Sequence, residues 1–111
     1  MKNDCVVVWT TVGRMANCRE IASILVNERL AACVNVLPAV TSVYTWEGVP
    51  QVDKEQQLII KTTTAEVDRL WDVLRSRHPY DVPEFLVVPV IDGSEDYLRW
   101  LDRSIGPRAE S

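Results

Sequence analysis

The hydrophobic positions of this chain follow two rhythms, and the switches between them mark its elements. Cys5-Val6-Val7-Val8-Trp9-Thr10-Thr11-Val12 is a continuous β-branched and aromatic run closed by Gly13, which predicts a strand buried on both faces in the middle of a sheet. After a short loop to Ala16, Asn17 with Glu20 three residues later has the form of a capping box. Ala22, Leu25, Val26 and Leu30 then form one apolar stripe with Ile21 and Ile24 beside it, predicting a helix over Asn17 to Ala31. From Cys33 to Trp46 the period drops to two, with Val34, Val36, Val40, Ser42, Tyr44 and Trp46 on one face and Leu37, Val43 and Thr45 on the other. This is a long strand, in which Pro38, having no donor for a ladder, belongs at a bulge or an edge. Trp46 to Pro50 supplies a turn, and Glu55 to Thr63 returns, with Leu58, Ile60 and Thr62 alternating against Ile59, Lys61 and Thr63.

Thr63 with Glu66 forms a second capping-box pattern, followed by Val67, Leu70, Trp71 and Leu74 at helical spacing. The helix must end near His78, because Pro79 disfavours helical geometry in the residue before it. Phe85 to Ile91 reads as a fourth strand, Asp92-Gly93 as a turn, and Ser94 as the cap of a last helix with Tyr97, Leu98, Leu101 and Ile105 inward. Gly106-Pro107 stops that helix, and the tail Arg108 to Ser111 is expected to fray. The order β-α-β-β-α-β plus a terminal helix predicts an α+β, ferredoxin-like split βαβ fold, with one helical layer on a four-stranded antiparallel sheet. The whole chain, 1–111, has the length of a single domain.

Composition narrows the function. A formal net charge of −4 argues against a nucleic-acid binder, which would display a basic face. No apolar run approaches the roughly 20 residues needed to span a bilayer. Cys5, Cys18 and Cys33 are odd in number, lack zinc-knuckle pairing and follow no signal peptide, so reduced thiols and a cytoplasmic location are expected. No glycine-rich phosphate loop, Gly-x-Ser-x-Gly elbow, His-Glu-x-x-His or Cys-x-x-Cys is present, so no enzyme class is indicated and no obligatory cofactor.

The densest chemistry lies in His78-Pro79-Tyr80-Asp81-Val82-Pro83-Glu84. Two prolines stiffen it, and its imidazole, phenol and carboxylates could bind a cation or move a proton; alternatively it is a connector whose polar groups satisfy neighbouring backbone. Cys33 with His78 and Asp81 or Glu84 would suit copper or zinc by ligand type, although only folding or a subunit contact could assemble such a set. Lys61 and Glu55 can pair with each other or with the loop carboxylates. A long hairpin carrying Tyr44 and Trp46 is poorly stable alone in water, so either it lies against another subunit or its rings fold back onto their own sheet.

Leu30-Ala31-Ala32-Cys33-Val34-Asn35, Ser42-Val43-Tyr44-Thr45-Trp46-Glu47-Gly48, Lys61-Thr62, the His78 to Glu84 loop and Tyr97-Leu98-x-Trp100-Leu101 together resemble the CutA family of divalent-cation tolerance proteins. The resemblance runs from about Cys5 to Ile105. It implies a ferredoxin-like subunit similar to the PII signalling proteins, a tight homotrimer whose hairpins cross between neighbours, and a cytoplasmic role in tolerance of copper and other divalent cations without established catalysis. It also implies a ligand-binding crevice between subunits lined by Tyr44, Trp46, Lys61, His78, Tyr80 and Glu84, with His78 and Cys33 as metal ligands. A second reading is a PII-like signalling module that holds a small anion or a partner, anchored by Lys61. Asp81 stands where glutamate is commoner in the family, which moves its charge by one methylene.

Overall fold

The apolar run at the start of the chain takes the centre of the sheet because it has hydrogen-bonding partners on both sides. In the computed structural model, which describes residues 3–107, β1 (Cys5–Gly13) pairs antiparallel along its whole length with β3 (Val49–Thr63) and over four residues with β4 (Leu86–Pro89). β2 (Cys33–Trp46) pairs with the far side of β3, so the strand order is β2-β3-β1-β4. With α1 (Cys18–Asn27) after β1, a 3-10 turn (Thr64–Glu66) and α2 (Val67–Arg77) after β3, and α3 (Glu95–Arg103) last, this is the expected ferredoxin-like α+β arrangement. No helix among the described residues is long and apolar enough to cross a membrane. Residues 108–111, where fraying was expected, lie outside the described residues.

Strand alternation sorts the side chains between two faces. Val8 and Val12 of β1 and Leu58 and Ile60 of β3 are fully buried on one face, against Ile21 and Leu25 of α1 and Leu70 and Leu74 of α2. These two helices form the helical layer, and burying each of their leucines contributes roughly 1.5–3 kcal/mol. α3 packs separately, setting Leu98, Leu101 and Ile105 around Cys5 and Ala32. Trp9, paired with both Ile59 and Leu86, lies on the opposite face with Val88 and Leu37. Trp9 is 37% exposed, Leu86 57% and Val88 45%, so this face is apolar and uncovered.

The bulge at Pro38 has a consequence that simple alternation misses. Between Leu37 and Val40 β2 advances three residues while β3 advances two, from Gln57 to Glu55. The extra residue reverses the phase of the strand. Val34 and Val36 therefore pack against the helix-covered core, whereas Val40, Ser42, Tyr44 and Trp46 point to the uncovered side with Asp53 and Glu55, and the single face expected for all six is corrected. The hairpin also runs further than expected: β3 begins at Val49, directly after a two-residue turn in which Glu47 (φ 50°) and Gly48 (φ 81°) both take left-handed geometry, the I′ pattern that matches strand twist. It stretches the molecule to 52 × 27 × 22 Å.

Several element ends differ from expectation. α1 stops at Asn27 because Arg29 turns left-handed (φ 59°), with Arg29 N–H donating to Val26 O at 3.0 Å and Leu30 N–H to Leu25 O at 2.9 Å. This is a Schellman ending with arginine where glycine is usual. Arg29 is held there by its own side chain, whose Nε donates to Gly106 O at 2.6 Å and Nη2 to Arg103 O at 2.7 Å. At α1's start the expected cap forms, Asn17 Oδ1 accepting from Glu20 N–H at 3.1 Å. The expected Thr63–Glu66 box does not form: Thr63 ends β3 and makes no capping bond, and Glu66 is buried and pairs with Arg69 at 3.2 Å. β4 is shorter than expected because β1 ends its pairing near Cys5, which leaves Ile91 89% exposed. Tyr97, expected inward, is exposed and packs on Trp100.

Candidate functional site

α2 ends at Arg77, and His78 leaves it in extended geometry (φ −83°, ψ 132°), as a residue before proline should. That departure drives the imidazole into the sheet. Its Nδ1 accepts from Tyr80 N–H at 3.1 Å, and because a backbone amide can only donate, the proton sits on Nε2, which donates to Thr11 O at 2.7 Å. His78 is 9% exposed, and its ring packs against that of Tyr80 at 4.9 Å. Both ring nitrogens are thus engaged in fixing the loop to β1.

Tyr80 is aimed by this strut across the uncovered side of the hairpin. Its hydroxyl lies against Gly13 and donates to Glu55 Oε2 at 2.7 Å. Burial pushes the Tyr80 phenol well above the usual tyrosine range, and the Glu55 hydrogen bond and charge push it further. On the opposite wall, the Tyr44 hydroxyl donates to Asp53 Oδ2, and that bond is the first cause raising the Tyr44 phenol, followed by burial. Gln57 Nε2 donates to Thr10 O at 2.7 Å and reaches Glu84 Oε2 at 3.4 Å, tying the end of the loop to the centre of the sheet.

Between hairpin and loop lies a groove of about 810 Å³, with Tyr44 and Trp46 on one wall, Tyr80, Asp81 and Glu84 on the other, and Glu55 at its floor. Of the six residues expected in one crevice, Tyr44, Trp46, Tyr80 and Glu84 line this groove and Lys61 and His78 do not. His78 stands behind the wall. Lys61 donates from Nζ to Asn35 Oδ1 at 2.7 Å and lies 3.9 Å from Cys33 Sγ. Cys33 is cross-strand from Lys61, which faces Val7 on β1, whereas His78 is bonded at Thr11 four residues further along β1. The two expected metal ligands therefore do not converge within one chain, and no group of three His, Cys, Asp or Glu among the described residues could hold a metal ion. The donor set of one chain does not fit copper.

Asp53, Glu55 and Gln57 are the groove's supporting residues that the sequence reading left without a site role. Their spacing of two on β3 was the available signal, but only the Pro38 phase reversal brings Tyr44 and Trp46 onto their side. Cys5 and Cys18 are buried free thiols whose burial raises their pKa, in Cys5 with help from Asp102 and Asp4. They are packing residues with little thiolate character.

A ferredoxin-like subunit with a long hairpin and an uncovered apolar sheet face, joined by an acidic aromatic groove, defines the class. The family model for CutA1 divalent ion tolerance protein matches residues 6–104, and the chain belongs to that family. A divalent-cation tolerance protein CutA from Salmonella newport is 44% identical over 102 residues, covering 92% of this chain and 89% of the relative. Among solved structures, a divalent cation tolerance protein from Thermus thermophilus is 43% identical with a TM-score of 0.88, covering 92% of this chain and 99% of that one. CutA1 from Oryza sativa is 40% identical with a TM-score of 0.89, covering 96% and 97%. A CutA from Archaeoglobus fulgidus, 26% identical with a TM-score of 0.86 over 92% and 99%, is described as periplasmic.

Proposed function

We propose that this protein serves tolerance of divalent cations, copper among them, as a non-catalytic homotrimer of the cytoplasm. The observation that carries the assembly is the uncovered sheet face: Trp9, Leu37, Leu86 and Val88 form an apolar surface continuous with the exposed side of the hairpin. A lone subunit would leave that surface in water, and a two-stranded arm of this length is marginal without support. Three copies packing these faces together would bury both, in the arrangement that the family resemblance implies. Light scattering at micromolar concentration should return three times the 12.6 kDa of one chain, and a monomer mass would sink the assembly.

Copper contact is the second part of the proposal. Because Cys33 and His78 stay apart within a chain, direct binding needs ligands from more than one subunit. Isothermal titration of copper and zinc into the assembled protein should give a saturable isotherm, and its absence overturns direct binding. The same titration on Cys33→Ser tests whether the half-exposed thiol contributes. The cytoplasmic location is supported by three free thiols, which an oxidising compartment would expose to oxidation or mispairing; cell fractionation with a tagged chain tests it. A small-anion module anchored by Lys61 has less support, since Lys61 is engaged with Asn35 outside an acid-lined groove.

A further inference from the structure

We infer that the groove between the hairpin and the 79–84 loop is a receptor for a small organic cation, an ammonium group carried on an apolar frame. Two aromatic residues on the hairpin wall and one on the loop wall leave much of their surface open, Tyr44 at 41%, Trp46 at 49% and Tyr80 at 38%. Aromatic faces attract cations, and the attraction grows when water is excluded. Glu55, Asp81 and Glu84 give the same groove a negative field, and none of its lining residues is a lysine, arginine or histidine. Both phenols commit their protons to carboxylates, Tyr44 to Asp53 and Tyr80 to Glu55. That bonding raises the electron density of the rings and leaves acceptors facing an incoming ligand. An anion would meet only like charge.

The same features favour an organic cation over a bare metal ion. A metal needs several ligands converging on one point, whereas here Glu55 and Glu84 are tied to Tyr80 and Gln57 and no group of three donors comes together among the described residues. A diffuse charge on an apolar frame needs only field and ring faces. The volume of about 810 Å³ lies within the range typical of small-molecule sites. In a trimer the groove would face a neighbouring chain, so the occupant competes with that chain for the same space.

The test uses three probes sharing one frame: benzylammonium, benzyl alcohol and benzoate, titrated calorimetrically into the full-length protein at neutral pH. Benzylammonium should bind saturably and about ten-fold or more tighter than benzyl alcohol, with benzoate weaker still. Glu84→Gln and Trp46→Leu should each weaken benzylammonium about five-fold or more with the mass by light scattering unchanged. Equal binding of the alcohol, tighter binding of benzoate, or no saturable heat with benzylammonium would each overturn the inference, the last indicating a groove closed by the neighbouring chain. Displacement of benzylammonium by stoichiometric zinc would overturn it in favour of a metal site. A copper isotherm that persists when benzylammonium fails would leave the tolerance reading standing while this one falls.

Discussion

Replacing His78 with alanine separates a structural histidine from a metal ligand. The substitution removes the 2.7 Å bond to Thr11 O, the 3.1 Å bond from Tyr80 N–H and the ring contact with Tyr80. Each hydrogen bond contributes about 1 kcal/mol net, and a strand carbonyl and a loop amide deprived of partners add a desolvation cost, so the loss should be about 2–4 kcal/mol per chain. Urea denaturation at neutral pH measures it, with variant and parent compared at one chain concentration because assembly makes apparent stability concentration-dependent. The loop should loosen with it, exposing Tyr80 and weakening its bond to Glu55. The copper isotherm should be unchanged, because neither ring nitrogen is free to coordinate. A stability loss below about 0.5 kcal/mol together with a lost isotherm would refute the strut assignment and restore His78 as a ligand.

Arg29→Ala should destabilise the fold by about 1.5–3 kcal/mol, read by thermal or urea unfolding, since it removes bonds to two carbonyls beside α3 and leaves a left-handed residue without its tether. Arg29→Gly should recover only part of this loss, by relieving the φ of 59°. Gly48→Ala should cost about 1 kcal/mol, entirely from its φ of 81°, because nothing lies within 4 Å of an added Cβ. The Tyr80 phenol ionises later in the folded chain than in the unfolded one. Its stabilisation is therefore complete below the ordinary tyrosine pKa of 10.0 and is lost as pH rises above it, where the unfolded state releases the proton first. Stability measured against pH should fall less steeply above pH 10 in Tyr80→Phe than in the parent; an identical slope would deny the phenol this role.

Period and punctuation carried most of the fold into view before any coordinates, because strand alternation and helix stripes are local facts of the chain. Pro38 shows where such reading stops. That a proline needs a bulge follows from its missing N–H, but whether the bulge reverses the strand's phase depends on how many residues the partner strand advances, and no residue of β2 records that count. The reversal decides the site, since it brings Tyr44 and Trp46 over Asp53 and Glu55 rather than over the helices. Arg29 was silent for a similar reason: its left-handed stop is held by carbonyls of Arg103 and Gly106, more than seventy positions away. His78 was conspicuous for the opposite reason, as a lone imidazole between prolines, and conspicuousness pointed to chemistry where the packing gives it a mechanical duty. Thr11 O, 67 residues distant, takes its proton, and the neighbouring Tyr80 amide takes its lone pair. The prolines and the imidazole together make a rigid bracket. What the bracket positions, Tyr80 and Glu84 facing Tyr44 and Trp46, is where a ligand would be recognised.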